Sequence, residues 1–170
     1  MQSLEIEKLP EFDDHKLVTF FSDKASGLRA FVVIHNDNLG PATGGTRMWV
    51  YPSETDALRD ALNLSRAMTY KCALAGVPYG GSKGVIIGDP HREKTPELLA
   101  AYARSIDNLG NLTTGTDVGL TDEDVAYMRK FSKHILGVPN GNHLSTSSMA
   151  TLGVFSSILG AAEELWGSES

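Results

Sequence analysis

Two lysines, Lys71 and Lys83, flank a turn in KCALAGVPYGGSKG that contains Gly76, Pro78, Gly80 and Gly81. Ammonium groups held close together depress at least one pKa, which is how a lysine becomes a base or a nucleophile at neutral pH. An anion lying between the two would be held by both. Each lysine also has a plainer reading. Lys71, near the end of an expected helix, would complement its C-terminal dipole, worth about 0.3–1 kcal/mol. Lys83 would be a solvated turn residue. The pairing is what favours chemistry. Asp117, in TTGTDVGL, is a third candidate, because α/β folds carry reactive groups on loops at strand ends. An Asx-turn or a helix cap is an equally open reading of it. The glycine pairs Gly44-Gly45 and Gly80-Gly81 either make tight turns or let backbone N–H groups approach an anion.

Other chemistries are excluded. Gly76 to Lys83 nearly matches a phosphate-binding loop, but its last two residues are reversed, and it runs from helix to strand rather than from strand to helix. The chain contains no G-x-G-x-x-G dinucleotide fingerprint. The five histidines have no metal-ligand spacing, and Cys72 reads as a packing residue on an apolar helix.

The elements that must position these residues alternate along the chain. Residues 17–22 and 29–35 are rich in β-branched and aromatic side chains and form a hairpin across DKASG. ATGGTRMWVY, with its glycine pair, holds a short strand. A helix starts at the capping-box-like Ser53-Glu54-Thr55-Asp56, repeats apolar residues at Leu58, Ala61, Leu62 and Met68, and stops at Gly76. A buried-type strand over 84–87 follows. A helix capped by Thr95, with Pro96 at its first position, runs to Leu109. Residues 112–114 are a strand, 121–131 a helix, 137–142 a loop, and Ser145 to Trp166 a long final helix. The alternation implies an α/β layered domain with parallel pairing and an antiparallel edge from the hairpin.

The chain has 170 residues, of which 41% are apolar and 21% charged, enough for one domain with its own core. A net charge of −6 with no basic stripe argues against nucleic acid. The acidic N-terminus lacks a signal-peptide core, and no apolar run approaches the ~20 residues of a membrane helix. One cysteine allows no internal disulfide and fits a cytoplasmic setting.

GPATGGTRM (40–48), SRAMTYKCALAGVPYGGSKGVIIGDP (65–90) and TGTDVG (114–119) together resemble the amino-acid dehydrogenases of the glutamate/leucine/phenylalanine/valine family. The match runs from residue 15 to residue 165 and is closest to the leucine/phenylalanine branch. The resemblance implies the amino-terminal, substrate-binding and oligomerisation domain of an NAD-dependent enzyme that deaminates an apolar L-amino acid to its 2-oxo acid. The implied fold is a three-layer α/β/α arrangement around a mostly parallel mixed sheet. By motif match, Lys71 binds the substrate carboxylate, helped by the backbone at Gly44 and Gly45. Lys83 activates water as a base, and Asp117 shuttles protons. Thr43 and Gly115 line the side-chain pocket. Glutamate dehydrogenases carry lysine where Thr43 stands, so an apolar substrate is expected.

Residues 1–170 then form one domain, whose final helix, within 144–166, would lead into a dinucleotide-binding domain this chain does not contain. NAD is expected in the longer enzyme and not on this chain alone. The partners expected are an L-amino acid and further copies of the chain, as a dimer or larger oligomer. The alternative is a standalone, non-catalytic amino-acid-binding or assembly module.

Overall fold

The computed structural model describes residues 5–137 and 146–167. Five strands form one sheet: β1 (Leu17–Asp23), β2 (Leu28–Asn36), β3 (Ala42–Trp49), β4 (Gly80–Ile87) and β5 (Leu112–Thr116). Their spatial order is β1-β2-β4-β3-β5. The β1–β2 hairpin is antiparallel, and β2 also pairs antiparallel with β4. Strands β4, β3 and β5 are mutually parallel neighbours. Only β2 therefore runs against the other four, and the hairpin supplies the expected antiparallel edge.

Helices cover both faces, and the alternation of side chains along the strands builds two cores. On one face, α1 (Glu54–Leu74) sets Ala57, Leu58, Ala61 and Leu62 against Phe31, Val33 and Val85. On the other, α2 (Pro96–Leu109) and α3 (Asp122–Met128) pack Leu98, Tyr102, Ile106, Val125 and Met128 against Ala30, Val32, Ile34, Met48 and Ile86. Successive residues of β2 and β4 thus serve opposite layers, giving the three-layer α/β/α arrangement. A fourth helix, α4 (Thr146–Trp166), buries none of its residues.

The helix starts follow their caps. The side chains of Ser53, Thr95 and Thr121 accept the backbone N–H groups of Asp56, Leu98 and Asp124. At Thr121 the Asp124 carboxylate also accepts the cap residue's own N–H, completing a reciprocal box. Gly76, at φ 66°, takes the left-handed conformation that stops α1.

Three expectations need correction. β4 begins at Gly80 rather than Gly84, so the Gly80-Gly81 pair lies inside the central strand and not in a turn. The reason is close packing: a Cβ on Gly81 would lie 2.2 Å from the Thr69 backbone N and 2.5 Å from the Ser65 carbonyl oxygen, so only glycine lets α1 lie on the strand. Strand β5 extends to Thr116 rather than Thr114. Helix α3 stops at Met128, short of Phe131, because the next N–H groups bond three residues back, Lys130 to Tyr127 and Phe131 to Met128. From residue 138 to residue 145, the expected loop and the start of the final helix fall outside the described residues.

Gly81→Ala is expected to lower the urea midpoint, at a cost of about 1–3 kcal/mol for overpacking against helix backbone. An unchanged midpoint would mean that α1 can move off β4 at no cost, contrary to the close seam described here.

Candidate active site

Lys83 stands in the middle of β4, the central strand, and shares the α1 face with its alternate neighbours Gly81 and Val85. It is 6% exposed. A buried ammonium needs a counter-charge. Asp117, one residue past β5, provides it: Lys83 Nζ donates to Asp117 Oδ2. Burial pushes the Lys83 pKa below the ordinary lysine value, while the hydrogen bond and charge of Asp117 work the other way. For Asp117, burial favours the neutral acid, but the hydrogen bond and charge of Lys83 outweigh it and hold the carboxyl below its usual range. Each partner thus favours the charged form of the other.

The expectation that a second ammonium depresses Lys83 is corrected. The dominant cause is removal from water, and the cation acting against its charge is Arg47, not Lys71. Lys71, near the C-terminal end of α1, is exposed and makes no ion pair among the described residues. Its ammonium is open to a ligand anion.

All the candidates meet around one cavity of about 360 Å³. Its lining includes Thr43, Gly44, Gly45, Lys71, Lys83, Gly115 and Asp117, with Met68, Leu136 and Ala150 as apolar walls. The candidates come from four elements: β3 gives the threonine and glycine pair, α1 Lys71, β4 Lys83, and β5 with its following loop Gly115 and Asp117, while Ala150 belongs to α4. The Thr43 hydroxyl accepts a hydrogen bond from Thr113 at 3.0 Å. Three glycines here are sites of backbone contact. A Cβ on Gly44 would lie 1.8 Å from the Ser82 carbonyl oxygen, one on Gly45 would lie 2.6 Å from that of Thr116, and one on Gly115 would lie 2.8 Å from that of Leu136.

Sequence reasoning missed a charged network behind Asp117. Arg47 Nε donates to Asp117 Oδ2 at 3.3 Å, and its Nη1 donates to Asp60 Oδ2 at 2.9 Å. The Tyr51 hydroxyl donates to the same Asp60 oxygen at 2.6 Å. Arginine inside the otherwise small and apolar ATGGTRMW was the available signal. Neither Asp60 nor Tyr51 has a local pattern that marks it. Among the described residues no group of acidic, histidine or cysteine side chains could hold a metal ion, and no helix is long and apolar enough to cross a membrane.

Asp117→Asn is expected to destabilise the protein at neutral pH, with the gap to wild type narrowing as pH falls below 3.8. The folded-state pKa of Asp117 lies under its unfolded value, so its contribution is complete above the unfolded value and lost as pH falls through the folded one. Urea unfolding at pH 7 and near pH 3 measures this. A gap independent of pH would mean that Asp117 is not charged in the native state.

Residues 15–134 match the family described as Glu/Leu/Phe/Val dehydrogenase, dimerisation domain. A phenylalanine dehydrogenase of Caldalkalibacillus thermarum is 43% identical over 162 residues, covering 94% of this chain and 44% of that protein. A leucine dehydrogenase of Geobacillus stearothermophilus is 43% identical over 170 residues, covering 98% and 46% respectively. The chain thus spans about half the length of the curated relatives it matches. Among solved structures, L-tryptophan dehydrogenase from Nostoc punctiforme superposes with a TM-score of 0.72 at 41% identity, over 91% of this chain and 44% of that one. A hetero-hexameric glutamate dehydrogenase from Thermus thermophilus shares the fold, with a TM-score of 0.71 at 23% identity over 90% of this chain and 41% of that one.

Proposed function

This chain belongs to the Glu/Leu/Phe/Val dehydrogenase family, and we propose that it forms the substrate-binding and oligomerisation part of an NAD-dependent dehydrogenase for an apolar L-amino acid. The observation that carries the reading is the convergence of an exposed, unpaired Lys71 and a buried, carboxylate-paired Lys83 on one cavity. One cation is available to a ligand anion, and the other is poised to exchange a proton.

In the proposed reaction the Lys71 ammonium pairs with the substrate α-carboxylate, with the backbone of Gly44 and Gly45 alongside. Asp117 takes a proton from the substrate amino group. Lys83, whose neutral form burial makes accessible, accepts a proton from the water that attacks the iminium carbon. Asp117 then returns a proton to the carbinolamine nitrogen, the carbon–nitrogen bond breaks as ammonia leaves, and the carbinol hydroxyl loses its proton to solvent as it becomes the 2-oxo group. NAD would supply the hydride acceptor. The residues of this chain do not fit it, since no glycine-rich dinucleotide fingerprint stands between a strand and a helix here. On this reading NAD is held by other parts of a longer protein.

The substrate side chain is apolar. Thr43 offers a hydroxyl already engaged by Thr113, and Met68, Leu136 and Ala150 line the same cavity. A side-chain carboxylate at Thr43 would be left without a cation, a costly burial. The names of the relatives, phenylalanine, leucine and L-tryptophan dehydrogenases, agree with this class. A homo-oligomer is part of the proposal, in keeping with the dimerisation domain that the family description names.

The test is steady-state kinetics of the longer protein with L-leucine, L-phenylalanine and L-tryptophan. Lys83→Ala is expected to lower kcat by about 10²–10⁴, the range of general-base catalysis. Lys71→Ala is expected to act mainly on KM. If both variants retain full activity, the site assignment is wrong.

A further inference from the structure

Arg47 does not line the cavity that holds Lys71 and Lys83. It reaches Asp117 from the other side, where it borders a separate hollow of about 480 Å³ with Trp49, Tyr51, Asp56, Asp60 and Val118. Its guanidinium bridges two carboxylates, Nε to Asp117 and Nη1 to Asp60. Both Arg47 and Lys83 donate to the same oxygen of Asp117, Oδ2. Asp60 is held in turn by the Tyr51 hydroxyl. Arg47 is only partly exposed, with a side-chain value of 25% against 26% for Asp60.

We propose that Arg47, clamped to Asp60, is a positioning residue that fixes Asp117 beside Lys83 and sets the charge balance of that pair from outside the ligand cavity. The proposal deepens the dehydrogenase reading, on which its catalytic meaning rests.

The chemistry follows from what arginine can and cannot do. Lysine can give up its proton, whereas the guanidinium remains charged throughout the working pH range. When Lys83 is neutral, Asp117 would otherwise be a half-buried carboxylate without a cation, and would draw the proton back. Arg47 remains as its counter-ion, so the proton can leave the pair. Asp60 moderates this, because an anion on the far side of Arg47 offsets part of its field at both Asp117 and Lys83. The outside charges that act on the pair are Arg47 on β3 and Asp60 on α1, Lys71 on α1 lines the same cavity as the pair, and Tyr51 in the β3–α1 connection and Asp56 on α1 border the hollow on the Arg47 side.

The test is an NMR titration of the 170-residue chain labelled with ¹³C in lysine and aspartate, following the Lys83 Cε and Asp117 Cγ signals. Arg47→Met removes a cation and leaves Asp60 uncompensated, so both midpoints should rise by about 1 unit. Asp60→Asn strengthens the field of Arg47, so both should fall. Opposite directions support the proposal. A structural role alone would loosen the site, admit water and move Lys83 upward in both variants. Midpoints that stay unchanged, or that shift the same way in both variants, would overturn it. Should Arg47→Met fail to fold, Asp60→Asn decides alone: a fall supports, and no change or a rise overturns. The titration needs no substrate, so it can fail while dehydrogenase activity stands, and it can hold where that activity is absent.

Discussion

An ammonium group in the middle of a central β-strand is the constraint around which this domain is arranged. Lys83 has β2 on one side and β3 on the other, and α1 covers its face. Water cannot reach such a position in quantity, so its charge survives only with a partner within hydrogen-bond reach. The sheet order meets that need. Strand β5 lies beyond β3, and the residue that follows it, Asp117, turns back over the sheet to Lys83. Arg47, from the intervening strand β3, completes the contact. Each of three parallel neighbours therefore contributes one charged group to the same carboxylate oxygen or carries that oxygen itself. The parallel register is what aligns them.

A second constraint is space. Gly44, Gly45, Gly81 and Gly115 each stand where a Cβ would come within 3 Å of a neighbouring backbone atom. Gly81 lets α1 approach β4, and Gly44 lets the backbone of β3 approach that of β4 around Ser82. Gly84 is also tight, but against side chains: a Cβ there would meet the Tyr102 hydroxyl at 2.0 Å and Thr46 Oγ1 at 2.6 Å. Beneath the cavity the hydroxyls of Tyr102, Thr46 and Thr114 form a chain of 2.7 Å hydrogen bonds. The floor of the site is thus a set of close backbone contacts and satisfied buried hydroxyls, which resists deformation.

Local signals made most of the elements legible. Ser53, Thr95 and Thr121 marked three helix starts because capping depends on the side chain at one position. The β-branched runs at 17–22 and 29–35 marked the hairpin for an equally local reason. Gly80-Gly81 misled because glycine looks the same in a turn as in a strand crossed closely by a helix, and only tertiary contact tells them apart. The cavity residues Thr43, Gly44, Gly45, Lys71, Lys83, Gly115 and Asp117 were legible through three motifs read together. The cause of the Lys83 shift was not, because burial depends on where a strand sits in the sheet, and sheet order is a long-range property. Asp60 escaped notice for the same reason. Nothing near it in sequence says that it faces Arg47.

Helix α1 links the two halves of the charge arrangement. Asp60 and Lys71 lie on it eleven residues apart, about three turns, so they share a face. Asp60 anchors Arg47 at one end, while Lys71 presents a free cation to the cavity at the other. Between them, Ser65 and Thr69 make the close seam with Gly81 that fixes the height of the helix above the sheet. A single rigid-body change of α1 would therefore move the ligand-facing cation and the support of Asp117 together. The helix couples where an anion can be held to how the Lys83–Asp117 pair shares its charge, and the close contact of Ser65 and Thr69 with Gly81 is what keeps that coupling stiff.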